Sequence, residues 1–231
     1  MKERGPEELQ DLQAPGMQLV REWVARSRHD VEVLPADAEG GRRCLHSLQV
    51  SNRSPLGAVA LVTGGLLVDH GWVRVLGSGH ARLPRALDLW NGLADGGGVE
   101  SAQRLPGALL IGDDALGGFY AIDGGALGAT IGNVCYFSPD QLLWERVASG
   151  YADWLAGLLS GDLEEFYSGQ RWTDWRSEVA SMSADRAVTI YPPLWRKGPP
   201  IDLRSRAQVP IEELWRLHLV DLPRRPGGES A

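Results

Sequence analysis

The chain has 231 residues, of which 43% are hydrophobic and 23% charged, with a formal net charge of -7 and a pI near 5.3. That length suits one domain of ordinary size, and the apolar share is enough for a core, which excludes an intrinsically disordered chain. An acidic surface repels phosphate backbones, so general nucleic-acid binding is disfavoured, and a basic protein partner would be a better electrostatic match.

Residues Met1–Gly16 form a polar N-terminal segment without the apolar run of a secretory signal, with one short helix possible at Glu7–Gln13. A single domain is expected over residues 17–220. Met17–Ser27 carries Leu19, Val20, Trp23 and Val24 at helical spacing. Val31–Leu34 reads as a strand closed by Pro35, and Ala36–Gln49 as a helix weakened by Gly40 and Gly41. Three short β-like runs follow, Ala58–Val62, Leu66–Asp69 and Trp72–Leu76, separated by Gly64–Gly65 and His70–Gly71; they predict a three-stranded meander. Gly77–His80 is a loop, and Pro84 opens a helix running to about Leu93. Ala94–Gln103 reads as an exposed loop.

The most informative stretch is Ile111–Gly125, IGDDALGGFYAIDGG: a strand, an acidic turn, the strand Phe119–Ile122, and a second glycine turn. Ala108–Gly112, Val134–Phe137 and Leu143–Arg146 extend the β pattern. Tyr151–Leu159 is a helix stopped by Gly161; Asp162 caps Leu163–Ser168, and Thr173 or Asp174 caps Trp175–Ser181. Val188–Tyr191 and Ala207–Val209 are short strands, Pro210 opens the helix Ile211–His218, and the tail 221–231 reads as disordered. Helices, then hairpin-linked strands, then helices predict an α+β fold: a mainly antiparallel central sheet with flanking helices. Trp23, Trp90, Trp154, Trp175 and Trp215 fall in helical segments, where they would clamp helices onto the sheet.

The pieces Ile111–Asp114, Gly117–Asp123, Gly132–Tyr136 and the helix Tyr151–Leu159 resemble the SUKH superfamily of yeast cell-wall regulators and bacterial immunity proteins. Phrases along nearly the whole chain, among them Val31–Pro35, Arg53–Ala58, Asp69–Trp72, Leu76–His80 and Ile211–Trp215, resemble a small bacterial family known as a domain of unknown function. The SUKH resemblance implies a SUKH-like α+β fold and, for bacterial members, neutralisation of toxins by direct binding.

Asp113, Asp114 and Asp123 offer oxygens for a divalent ion, but adjacent residues on an extended strand point to opposite faces, so Asp113 and Asp114 would not converge. The commoner use of such aspartates is to accept backbone N–H bonds in a turn. Asp69, His70 and His80 could meet as a zinc or general-base group, without the spacing of a known motif. The loop Gly77–Arg85 exposes backbone N–H groups beside Ser78, Arg82 and Arg85, which suits a small anion. Ser54 and Ser78 lie outside any nucleophile motif, and Glu212 and Glu213 suit the first turn of a helix. Cys44 and Cys135 are far apart and without metal-type spacing, as in a reducing cytoplasm. No run approaches the roughly 20 apolar residues of a membrane span.

These readings converge on a cytoplasmic, non-enzymatic partner-binding module needing no metal or cofactor. Its docking face would be Asp113, Asp114, Tyr120, Asp123 and Tyr136, set against a basic, toxin-like partner; tryptophan-rich faces could also support a homodimer. The alternative is an enzyme or small-anion-binding protein using His70, Ser78, His80, Arg82 and Arg85.

Overall fold

The computed structural model describes residues 3–94 and 104–221, with side chains to residue 218. Residues 95–103 of the expected loop Ala94–Gln103, and the tail beyond 221, lie outside the described residues. Seven strands, β1 (Val31–Pro35), β2 (Thr63–Val68), β3 (Val73–Leu76), β4 (Ala108–Asp114), β5 (Phe119–Asp123), β6 (Val134–Phe137) and β7 (Trp144–Ala148), form one sheet in chain order. Every neighbouring pair is antiparallel, so the sheet needs no crossover connection. A separate hairpin pairs β8 (Arg186–Tyr191) with β9 (Ser205–Pro210). The helices are α1 (Pro6–Leu9), α2 (Pro15–Ala25), α3 (Ala38–Leu48), α4 (Pro55–Val62), α5 (Leu87–Trp90), α6 (Tyr151–Ser160), α7 (Leu163–Phe166), α8 (Trp175–Ser181) and α9 (Ile211–Asp221). The α+β expectation therefore holds.

Two local expectations are corrected. Ala58–Val62 belongs to α4, not to a strand: Ser54 caps it by accepting the Gly57 N–H at 3.1 Å, and Pro55 occupies its first turn. Its residues Gly57–Ala60 are all buried, so the run carries no polar face from which helical periodicity could be read. The helix expected from Pro84 is the single turn α5, beginning at Leu87. The N-terminal segment docks on the domain, with Leu9 fully buried and Asp11 and Asn52 exchanging two hydrogen bonds.

Side chains alternate across the sheet, and both faces of its centre are covered. On one face Trp72 meets Trp175 of α8 edge-on at 4.9 Å, and Phe119 meets Trp215 of α9 at 4.8 Å. On the other, Tyr120 and Tyr136 are cross-strand partners, and Tyr120 packs on Trp154 of α6 at 5.3 Å. Trp154, Trp175 and Trp215 thus clamp helices to the sheet, as expected. Double coverage is what buries the residues around the acidic turn.

Candidate functional site

Register places Arg74 of β3 directly opposite Asp113 of β4. Arg74 Nη1 donates to Asp113 Oδ1 at 3.2 Å and to the Asp114 carbonyl at 3.3 Å, while Nε donates to the Gly71 carbonyl at 3.2 Å. Arg85 reaches the same carboxylate through both terminal nitrogens and donates to the Ala184 carbonyl at 2.7 Å. Two buried guanidinium groups therefore share one carboxylate. Burial pulls the Arg74 pKa down, with Asp113 opposing it. Among the described residues, Arg74 Nη2 has no hydrogen-bond partner.

Arg74 lies in the wall of a cleft of about 120 Å³, with His70, Arg82, Asp30 and Glu32 around it and Met182 on the α8 side. Arg82 pairs with Glu32 across the rim, each about half exposed. The His70 Nδ1 lies 3.9 Å from Asp30, and its ring meets Trp175 edge-on at 6.2 Å. Guanidinium and imidazole N–H groups are donors to an oxyanion, and a fixed arginine fork suits phosphate or carboxylate. The ionisable side chains lining it are Asp30, Glu32, His70, Arg74 and Arg82.

The loop residues divide. Arg82 reaches the cleft and Arg85 supports it from behind through Asp113. Ser78 instead donates to the Thr63 carbonyl at 2.9 Å, and His80 Nδ1 accepts the Arg82 N–H at 3.1 Å. Asp69 turns away to Arg171 at 2.7 Å, so Asp69, His70 and His80 do not assemble. Arg171 in turn sits against Trp72, Tyr167 and Trp175, 4.1–5.1 Å from their ring centroids.

The expected docking face is corrected: Asp113, Asp114, Tyr120, Asp123 and Tyr136 are all buried, at most 5% exposed. Asp114 Oδ1 accepts the N–H groups of Leu116 and Gly118 at 2.8 and 2.9 Å; Oδ2 accepts the hydroxyls of Tyr136 and Tyr167 at 2.6 and 3.3 Å. The Tyr120 hydroxyl joins Tyr167 at 2.7 Å. Only glycine fits at 118, because a Cβ there would lie 2.2 Å from Asp114 Oδ2 and 2.4 Å from the Tyr136 hydroxyl. Burial pushes the Asp114 carboxyl above the ordinary carboxylate value, against the hydrogen bonds it accepts. Burial also drives the Tyr120, Tyr136 and Tyr167 hydroxyls far up. Asp123 goes the other way: burial raises it, but the N–H groups of Leu127, Gly125 and Ala129, at 2.6–3.1 Å, outweigh that and hold it low.

Of the other candidates, Ser54 is the α4 cap, and Glu212 and Glu213 sit in the first turn of α9. Cys44 is buried, which pushes its thiol up to about 12. Among the described residues no group of three or more histidine, cysteine, aspartate and glutamate side chains is placed to hold a metal ion. No described helix is long and apolar enough to cross a membrane.

A family described as protein of unknown function DUF2625 matches residues 7–214, which include every residue of the cleft. The chain belongs to the DUF2625 family. The uncharacterised protein YbfG of Escherichia coli (strain K12) is 39% identical over 199 residues, covering 86% of this chain and 88% of its own. An uncharacterised protein of Haemophilus influenzae (strain ATCC 51907 / DSM 11121 / KW20 / Rd) is 35% identical over 201 residues, 87% of each chain. No solved structure matches. Membership in DUF2625 brings no activity with it, so a functional reading rests on the cleft.

Proposed function

We propose that this chain binds a small oxyanion, free or as the phosphate or carboxylate head of a larger ligand, between Arg74, Arg82 and His70. The observation that carries the reading is Arg74 in the cleft wall, 1% exposed and held in place by the hydrogen bonds of its Nε and Nη1, none of which uses Nη2. A buried guanidinium is held in one geometry before a ligand arrives, so little ordering cost remains at binding. Arg74 and Arg85 also share Asp113, two guanidinium groups to one carboxylate, although Asp30 and Glu32 line the same cleft. The Arg82–Glu32 pair is exposed and individually weak, so an oxyanion can take Glu32's place on Arg82. About 120 Å³ is below the size of drug-like pockets, and it suits a head group.

The SUKH resemblance would instead make the chain an immunity-like module for a basic partner. All five residues of its docking face are buried, so the cleft is the better supported site.

Thermal denaturation in phosphate and in chloride at matched ionic strength tests the reading. Phosphate at tenfold excess over its Kd should stabilise by about 1.4 kcal/mol, raising Tm by roughly 3–6 °C. Because phosphate also stabilises proteins by exclusion from their surface, the variants decide. Arg82→Gln and His70→Asn should melt near wild type in chloride and lose most of the phosphate gain. An unchanged gain in Arg82→Gln would remove the cleft from consideration.

A further inference from the structure

A second cavity, of about 300 Å³, opens between α6, α7 and the outer strand β7. Its walls are aromatic and apolar, formed by Tyr120, Trp154, Leu158, Leu163 and Phe166. Asp153 and Asp162 also line it, and no lysine, arginine or histidine does. Asp153 accepts the Ser149 N–H at 3.1 Å and the Ser149 hydroxyl at 2.8 Å, bonds that hold it below the ordinary carboxylate range and therefore charged. Asp162 Oδ1 accepts the Glu165 N–H at 3.0 Å as the cap of α7. Neither carboxylate has an ion-pair partner among the described residues, although Arg146 lies near enough for Asp153 to feel its charge.

One more feature sets this cavity apart. Gly157 stands inside α6, where glycine is less favourable than alanine. No close approach explains it, since a Cβ at 157 would meet nothing within 4 Å. Gly157 is exposed and lines the cavity, with open space where its side chain would stand.

We infer that this cavity is a second ligand site, built for a small organic ammonium with an aromatic or alkyl body. The body would lie against Trp154, Phe166 and Tyr120, and the ammonium would face Asp153 and Asp162. Aromatic faces attract cations as well as apolar groups, so walls and carboxylates favour the same ligand. An anionic ligand of the same shape would meet two carboxylates and be disfavoured.

The test compares three probes of one shape: phenethylamine, benzyl alcohol and phenylacetate. Each is titrated into the full chain while the Trp154 indole and Gly157 amide resonances are followed. Phenethylamine should move both and bind at least tenfold tighter than phenylacetate, with benzyl alcohol between them. Gly157→Leu should fill the mouth and abolish binding, whereas Gly157→Ala should melt no lower than wild type and still bind. Asp153→Asn should weaken phenethylamine and leave benzyl alcohol unchanged. Equal affinity for the ammonium and the carboxylate probe, no shift at Trp154, or full binding by Gly157→Leu would each overturn the inference.

Discussion

Asp113→Ala should cost the fold about 3–5 kcal/mol, because it strands two buried arginines without their carboxylate. Arg74 and Arg85 are 1% and 6% exposed and both bond Asp113, so water cannot replace the lost partner without opening the sheet. For a chain of this length the loss corresponds to a fall in Tm on the order of 10 °C. Urea denaturation of wild type and Asp113→Ala measures it. Stability within 1 kcal/mol of wild type would mean that Asp113 is not the shared anchor of the pair.

Asp114 should show an effect of similar size with a distinctive pH dependence. Asp114→Ala removes the acceptor of the Leu116 and Gly118 amides and of the Tyr136 hydroxyl, all buried. At about 1–3 kcal/mol per stranded donor, a loss of at least about 3 kcal/mol is expected. Asp114→Asn keeps an acceptor oxygen and the shape but removes the buried charge. Because burial raises the folded-state pKa above the unfolded one, the native state holds the Asp114 proton more tightly. The stability this contributes is complete below the ordinary carboxylate pKa of 3.8 and is lost as pH rises through the folded value. Wild type should therefore lose stability relative to Asp114→Asn as pH rises from 4. Aspartates whose pKa is lowered, such as Asp123 and Asp202, act in the opposite direction but equally in both proteins, so they cancel. A wild-type advantage that stays level or grows with pH would contradict a raised Asp114.

The acidic turn was legible in its local logic and misleading in its setting. Strand alternation separates Asp113 and Asp114, and the structure sends one to Arg74 and Arg85 and the other to tyrosines and turn amides. Local rules also anticipate that one carboxylate of the turn collects backbone N–H bonds, and both Asp114 and Asp123 do. Burial was not legible, because the tyrosine and tryptophans that close over the acidic turn and its neighbours, Tyr167, Trp175 and Trp215, come from far along the chain, and nothing in a strand's own sequence announces a second cover. The α4 segment was misread for a related reason: surrounded by protein, it carries neither the period of a strand nor that of a surface helix.

The cleft was half visible. His70 and Arg82 stood out by residue type, but Asp30 and Glu32 join them only through long-range strand pairing, with Glu32 of β1 opposite Leu67 of β2. Arg74 carries a readable signal. It is the one charged residue in the apolar run Trp72–Leu76, and a charge inside such a strand needs a partner or a ligand. Arg171 had no comparable signal, since its aromatic surroundings come from residues 72, 167 and 175.

Anomalous diffraction from crystals of the full chain soaked in selenate would test the oxyanion cleft most directly, because selenium marks the anion's position without assuming it. The expected result is a selenium peak beside Arg74 and Arg82, with a selenate oxygen within hydrogen-bond distance of Arg74 Nη2 and Arg82 released from Glu32. Selenate bound only elsewhere, with the Arg82–Glu32 pair unchanged, would contradict it.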